Sequence, residues 1–281
     1  MKLWGLVLIA LLVVTGCSSK LAYNNLDWLV YWYMDDYVEL TDSQEEVFDK
    51  QLDQWINWHK SQELDQYLHQ LRKLRMQAAG NKLDEPTIAW HLNQASDHID
   101  RLRNKLAPQL SSMAATLNDE QVIYLFAAIE KENRERQEEQ DEKIKDSREE
   151  WENSAVDNIQ EEFEERVGEL NNQQMQIIRA RVPHFTSTFD NWMAYRRNMQ
   201  TEARKLFATR HTNPDFVAEL THLLTHPDAY RSKAYLEQRQ NNREAYLAMS
   251  AELAASMTPA QKKHLLNYLD DLIDDVEELK D

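Results

Sequence analysis

Beyond residue 17 the chain has two glycines, Gly80 and Gly168, and that scarcity more than any other feature limits what it can fold into. Tight hairpins draw on glycine for left-handed backbone. No segment alternates apolar and polar residues at period two between turn signals. Apolar residues recur instead at spacings of three, four and seven along nearly the whole chain, which is the pattern of helices with one buried face. The sequence therefore specifies an all-α protein, expected as an elongated bundle of long antiparallel helices, some kinked at proline, with one solvated charged segment. Residues 26–281 read as a single helical domain, with 40–169 and 170–281 as its candidate halves.

Four related pentapeptides punctuate that pattern: Leu40-Thr41-Asp42-Ser43-Gln44, Leu117-Asn118-Asp119-Glu120-Gln121, Leu170-Asn171-Asn172-Gln173-Gln174 and Met257-Thr258-Pro259-Ala260-Gln261. Thr or Asn at the second position can cap a helix by accepting from an orphan N–H of its first turn. Gln three residues later can reach back to the N–H of the cap, completing a capping box. Thr41/Gln44, Asn118/Gln121, Asn171/Gln174 and Thr258/Gln261 thus mark four helix starts.

The helices follow from these starts. Residues 42–79 read as one helix, ended by Gly80 and Asn81. Asp84 caps the next, in which Pro108 should produce a kink or an early end. Residues 119–167 read as the longest helical stretch. Its part from 131 to 150 holds a single aliphatic residue, Ile144, and the pairs Glu130–Arg134, Glu132–Arg136, Glu139–Lys143 and Asp141–Lys145 fit a helix projecting into solvent. Pro183 interrupts the helix read over 172–182, and residues 184–210 are expected to form the next. In the last helix, Asp270, Asp271, Asp274, Asp275, Glu277 and Glu278 crowd the end where the macrodipole favours cations, so that end should fray or meet a basic partner.

The amino-terminal region carries an address. Met1-Lys2 is followed by an apolar run over residues 3–13, of signal-peptide length and too short to span a bilayer. It leads into Val14-Thr15-Gly16-Cys17, which resembles a bacterial lipobox. The resemblance implies a signal over residues 1–16, acylation of Cys17, a tether over 17–25 and, with Ser18 next, delivery to the outer membrane. Cys17 is the single cysteine, so an internal disulfide or a thiolate metal site is ruled out. The formal charge of −17 argues against nucleic acid as a partner and against adsorption on anionic lipid. Next to the tether, Leu26, Leu29, Val30, Tyr33 and Tyr37 form one stripe while Trp28, Tyr31 and Trp32 fill much of the remainder. A helix apolar nearly all round is expected to be buried, although Trp and Tyr also suit a membrane interface.

Leu-Thr-x-x-Gln in a helical, glycine-poor chain with a secretion signal resembles the Spy/CpxP family of periplasmic proteins. Members bind unfolded proteins without ATP or sense envelope stress. Here two copies carry Asn for Thr, the chain is about twice the usual size and a lipid anchor is added. The start, with Tyr23, Trp28, Trp32 and Tyr37 ahead of the literal motif, is more similar to a family of uncharacterised Gram-negative lipoproteins.

Chemical motifs are sparse. Arg179, Arg181, Arg196 and Arg197, with Trp192 and Tyr195, are the one basic and aromatic cluster, able to meet an anionic ligand or a partner's acidic face, or to pair internally. His222 and His226 lie four apart, a spacing that can serve one metal, but no third ligand is evident and the expected metal and cofactor content is none. His91, Asp97 and His98 form no readable constellation, and there is no glycine-rich phosphate loop or nucleophile elbow. The sequence thus points to a non-enzymatic, periplasm-facing lipoprotein held to the membrane through Cys17. It would bind protein or envelope partners through helical faces, in a chaperone-like or stress-related role. The rivals are an envelope enzyme acting on peptidoglycan or lipid and a purely structural or assembly lipoprotein.

Overall fold

The structure, a computed structural model, describes residue 23, residues 25–144 and residues 147–280. Cys17, the leader over residues 1–16 and the tether apart from Tyr23 and Asn25 lie outside the described residues. In chain order the helices are α1 (Leu26–Met34), α2 (Asp42–Trp58), a π-helical turn (His59–Glu63), α3 (Leu64–Ala79), α4 (Glu85–Ala114), α5 (Asp119–Ile144), α6 (Arg148–Val167), α7 (Asn172–Arg181), α8 (Phe189–Thr209), α9 (Phe216–Thr225), α10 (Lys233–Ala255) and α11 (Pro259–Lys280). Short 3₁₀ turns follow α7 and α9. No strand occurs among the described residues, and no helix among them is long and apolar enough to cross a membrane.

All four motif starts are helix starts, but the helices between them differ from expectation in four places. First, residues 42–79 are interrupted by the π turn. Phe48, Leu52 and Trp55 are buried before it and Leu64 and Leu68 after it, while His59 and Glu63 are buried within it. A π turn holds one residue more than an α turn, so it re-phases the buried stripe. Second, residues 119–167 form two helices. Ser147 caps α6 by accepting from the N–H of Glu150 (3.3 Å), and the Glu150 carboxylate accepts from the N–H of Ser147 (2.5 Å). Third, α4 continues through Pro108 to Ala114, with the Ser112 hydroxyl donating to the carbonyl of Pro108 (3.0 Å). Fourth, residues 185–188 are not helical. Asn242 on α10 accepts from the N–H of Thr186 (3.0 Å) and donates to its carbonyl (2.7 Å), and Gln238 donates to the carbonyl of Ser187 (2.8 Å). Side chains thus satisfy the backbone groups that a helix would have satisfied.

The chain divides into two compact units, each assembled from three stretches. The first comprises Met1–Glu63, Asp97–Glu139 and Phe189–Ser232, and the second Leu64–Ser96, Gln140–Thr188 and Lys233–Asp281. The boundaries differ from the sequence halves 40–169 and 170–281: two fall inside α4 and α5, and the others at the starts of α3, α8 and α10. The first two motifs lie in the first unit and the last two in the second.

In the first unit, Phe48, Leu52 and Trp55 of α2 pack with Leu106 and Met113 of α4. A second cluster joins Leu117 and Phe126 to Phe207 of α8 and to Phe216, Leu220 and Leu223 of α9. The aromatic helix α1 is only half buried. Tyr33 and the following Tyr37 are covered, whereas Trp28 and Trp32 are 63% and 55% exposed, which corrects the expectation of burial all round.

In the second unit, Ile178 and Val182 meet Met249 and Leu253 of α10 and Val156 and Val167 of α6. Burying an aliphatic side chain of this size contributes about 1.5–3 kcal/mol. Gly168 ends α6 at φ +80°, a left-handed backbone that calls for glycine, while the His264 ring, 3.6 Å from where a Cβ would stand, would be in ordinary contact with it. Helices α3 and α11 pack antiparallel. Asp65, Arg72, Arg75 and the carbonyl of Ala79 meet Lys280, Glu277, Asp270 and Lys262, so partners descend on one helix as they ascend on the other. Arg72 and Arg75 are therefore the basic partners that the acidic end of α11 required.

Candidate functional site

The motif glutamines do more than cap. Each Oε1 accepts from the N–H of its own cap residue at 3.0 Å: Thr41, Asn118, Asn171 or Thr258. Each Nε2 then reaches across to another motif. Gln121 donates to Gln44 Oε1 (2.7 Å) and Gln44 to Gln121 Oε1 (3.3 Å). Gln174 and Gln261 exchange the same two bonds at 2.9 and 2.8 Å. The second Nε2 proton in each case goes to the carbonyl just ahead of the partner motif: Thr116, Glu39, Ser256 and Glu169 for Gln44, Gln121, Gln174 and Gln261. Each unit therefore holds one reciprocal amide pair that ties two helix starts together. Gln121, Gln174 and Gln261 are buried and Gln44 is half-buried. With donors and acceptors consumed internally, these side chains act as junctions of the fold.

The basic cluster is divided between the units. Arg179 is exposed on α7, and Arg181 pairs with Glu252 of α10, both in the second unit. Arg196, Arg197 and Trp192 lie on α8 in the first unit, with Arg197 exposed. Arg196 is buried and enters a polar network formed by the run that was expected to be solvated. Its Nη2 donates to Glu132 Oε2 (3.0 Å) and its Nε to Asn133 Oδ1 (3.1 Å). Arg136 Nε donates to the other Glu132 oxygen (3.0 Å), Tyr37 Oη donates to Oε2 (3.1 Å), and Tyr33 Oη donates to Tyr37 (3.3 Å). The Trp192 ring lies 5.4 Å from the Arg136 guanidinium and 5.0 Å from that of Arg196. Burial, reinforced by the neighbouring Arg196 charge, lowers the Arg136 pKa, while burial and the Glu132 carboxylate push Tyr37 up to about 12. Glu132 and Asn133 are buried, so the charged segment is anchored at its start instead of projecting freely. The pairs Glu139–Lys143 and Asp141–Lys145 involve side chains outside the described ones.

A second buried polar cluster sits at the π turn. Glu63 accepts from Arg101 through both oxygens (2.8 and 3.1 Å), with His98 Nδ1 3.5 Å away, and Arg101 also donates to that nitrogen. Tyr23 Oη meets His59 Nδ1 at 2.9 Å. Burial drives the His59 pKa down from 6.5 to about 4, against the opposing Glu63 charge. His91, in the second unit, bonds Gln77 Oε1 at 2.7 Å, and burial with the Lys73 charge lowers its pKa to about 4 as well. Burial and Arg101 also lower His98.

These histidines set a pH dependence. The folded state declines protons that the unfolded chain accepts near pH 6.5. The histidine contribution is therefore fully present above that pH and is lost as pH falls toward 4. At pH 5 the loss is about 2 kcal/mol for His59, and of the same order for His91, at 1.36 kcal/mol per unit. Urea titrations at pH 7 and pH 5 check this: the midpoint should drop with acid, and drop less in His59→Gln. An equal drop in that variant would refute the assignment to His59.

His222 and His226 are stacked, with ring centroids 4.1 Å apart and planes 25° from parallel. Their in-plane lone pairs run side by side instead of converging. Among the described residues, no group of three His, Cys, Asp or Glu side chains is placed to hold a metal. His222 does line an open groove of about 410 Å³ between α8 and α9, with Glu202, Leu206, Ala218, Glu219, Leu223 and Tyr230.

The sequence profile of a family of unknown function, DUF6279, matches residues 36–236, and the chain belongs to that family. No curated protein and no solved structure matches it.

Proposed function

We propose that this member of the family is a non-enzymatic lipoprotein of the outer membrane. In this reading Cys17 is the anchor, the body faces the periplasm, and exposed helix faces bind protein partners in a chaperone-like or stress-related role. The observation that carries it is a register shared by two motif helices of the first unit. Three residues past Gln44, Val47 is 55% exposed, and three past Gln121, Tyr124 is 50% exposed beside Ile123 at 70%. In the second unit the position three past Gln174, Ile177, packs into the core, and the one past Gln261, His264, lies against Gly168. The first unit thus leaves apolar side chains in water at both positions, where the second unit packs the apolar one, Ile177, and exposes only the polar one, His264, on a chain whose charge of −17 would repel acidic partners. Partly unfolded chains that expose apolar, non-acidic segments fit that surface. The lipobox residues and the Leu-Thr-x-x-Gln resemblance support the same reading.

Aggregation of an unfolding client tests it. The purified protein should suppress light scattering at a several-fold molar excess, and absence of suppression would remove the chaperone version. For the alternative of an envelope enzyme, a candidate location is the open groove lined by His222, Glu202 and Glu219. Turnover of peptidoglycan or lipid that His222→Ala abolishes would favour it.

A further inference from the structure

We propose that the Trp28–Trp32 face of α1 is a second contact with the bilayer, seated at headgroup level beside the anchor. The proposal rests on the lipid-anchored reading of Cys17. The two indoles stack on one another with centroids 6.4 Å apart and planes 17° from parallel, and both are more than half exposed. The helix is seated by its other side. Tyr31 meets Phe48 edge-on at 5.4 Å, Val30 and Met34 pack on the same cluster, and Tyr33 is buried. The indole pair is therefore held outward by a fixed helix. Indoles combine an apolar body with one N–H donor, and this is why tryptophan favours the boundary between acyl chains and water.

Charge along the chain gives the face a direction. From residue 18 to residue 34 there are two charged residues, Lys20 and Asp27, which cancel. The next fifteen positions carry seven acidic residues and no basic one: Asp35, Asp36, Glu39, Asp42, Glu45, Glu46 and Asp49. In sequence the neutral aromatic stretch thus comes nearest the acylation site and the acidic stretch follows it, with Asp49 folding back to accept from the Tyr31 hydroxyl (2.6 Å) on the seated flank of α1. Ten residues lie between Cys17 and Trp28, so Trp28 is eleven residue steps along the chain from the anchor. Even fully extended, at about 3.3–3.6 Å per residue, they hold the indoles within roughly 40 Å of the acyl chains. Zwitterionic headgroups are the matching surface, because the acidic stretch behind the indoles disfavours anionic ones.

The test reconstitutes the mature protein, by its own anchor, into phosphatidylcholine vesicles whose acyl chains are brominated close to the headgroup. Bromine quenches tryptophan at short range. Acylation is read by mass spectrometry on the same preparation. In acylated protein part of the emission should be quenched, and that quenching should vanish in Trp28→Phe/Trp32→Phe, which alters only exposed rings and should leave the circular dichroism unchanged. Acylated protein that shows no quenching, or the same quenching in the double variant, overturns the membrane contact and leaves the anchor standing. Absence of acyl chains by mass removes the anchor and the contact with it.

Discussion

Gln174→Ala is expected to destabilise the protein by about 3–5 kcal/mol, and so to lower the melting temperature by on the order of 10 °C. Gln174 is 1% exposed, and its removal strands several groups together. The Asn171 N–H loses its acceptor, the Ser256 carbonyl loses a donor, and Gln261 loses one bond at each end of its amide. Each buried group left unsatisfied costs about 1–3 kcal/mol. Gln174→Glu should be at least as costly, because it replaces the donating amide NH2 with a carboxylate oxygen that faces two acceptors, Gln261 Oε1 and the Ser256 carbonyl. A double-mutant cycle with Gln261→Ala should show strong coupling, since the second substitution removes a partner already stranded. Gln44→Ala should cost less, about 1–2 kcal/mol, because water can reach the groups around a half-buried side chain. Equal costs at Gln44 and Gln174, or additive ones in the cycle, would contradict the reciprocal pairing.

The second large effect is expected at Glu132. Glu132→Ala leaves the Arg136 and Arg196 guanidiniums facing each other without a shared carboxylate, with Tyr37 deprived of its acceptor. Truncating one partner of a buried pair typically costs about 3–5 kcal/mol, most of it from the charge left behind. Arg196→Met should cost less, since Glu132 keeps both Arg136 and Tyr37. Chemical denaturation of the two variants checks the order, and a larger loss in Arg196→Met would reverse the assignment of Glu132 as the centre of the network.

Much of this architecture is written locally. A capping box involves one turn of chain, so Thr41, Asn118, Asn171 and Thr258 are legible as helix starts without knowing what the helices pack on. Ser147-x-x-Glu150 was equally local, and the break at α6 followed from the same rule. What pairs with what is not local, yet the motifs contain a hint. A capping box works with Glu or Gln. This chain has 49 acidic residues, and still all four motifs that pair carry Gln, whereas the unpaired Ser147 box carries Glu. Only the amide has protons left to donate across to a second motif.

The Arg196 network was out of reach for a different reason. Glu132–Arg136 at spacing four looks the same on a solvated helix as on a buried one, and its burial depends on α8, more than fifty residues later in the chain. The π turn left a faint sign, in that the apolar stripe lapses between Trp58 and Leu64, where His59 and Glu63 turn inward. The stacked tryptophans show the limit of hydropathy. It marked α1 as apolar on every side but could not say which side faces the core.

Polar motifs that build the fold and the apolar helix faces proposed to recognise partners can be separated in one measurement. Client aggregation is followed with Ile123→Ser/Tyr124→Ser and with Gln44→Ala, both at a temperature where circular dichroism shows them folded. The surface variant should melt at the wild-type temperature and lose suppression, while Gln44→Ala should melt lower and suppress as well as wild type. Suppression that survives in Ile123→Ser/Tyr124→Ser, or that disappears in folded Gln44→Ala, would contradict this division of roles.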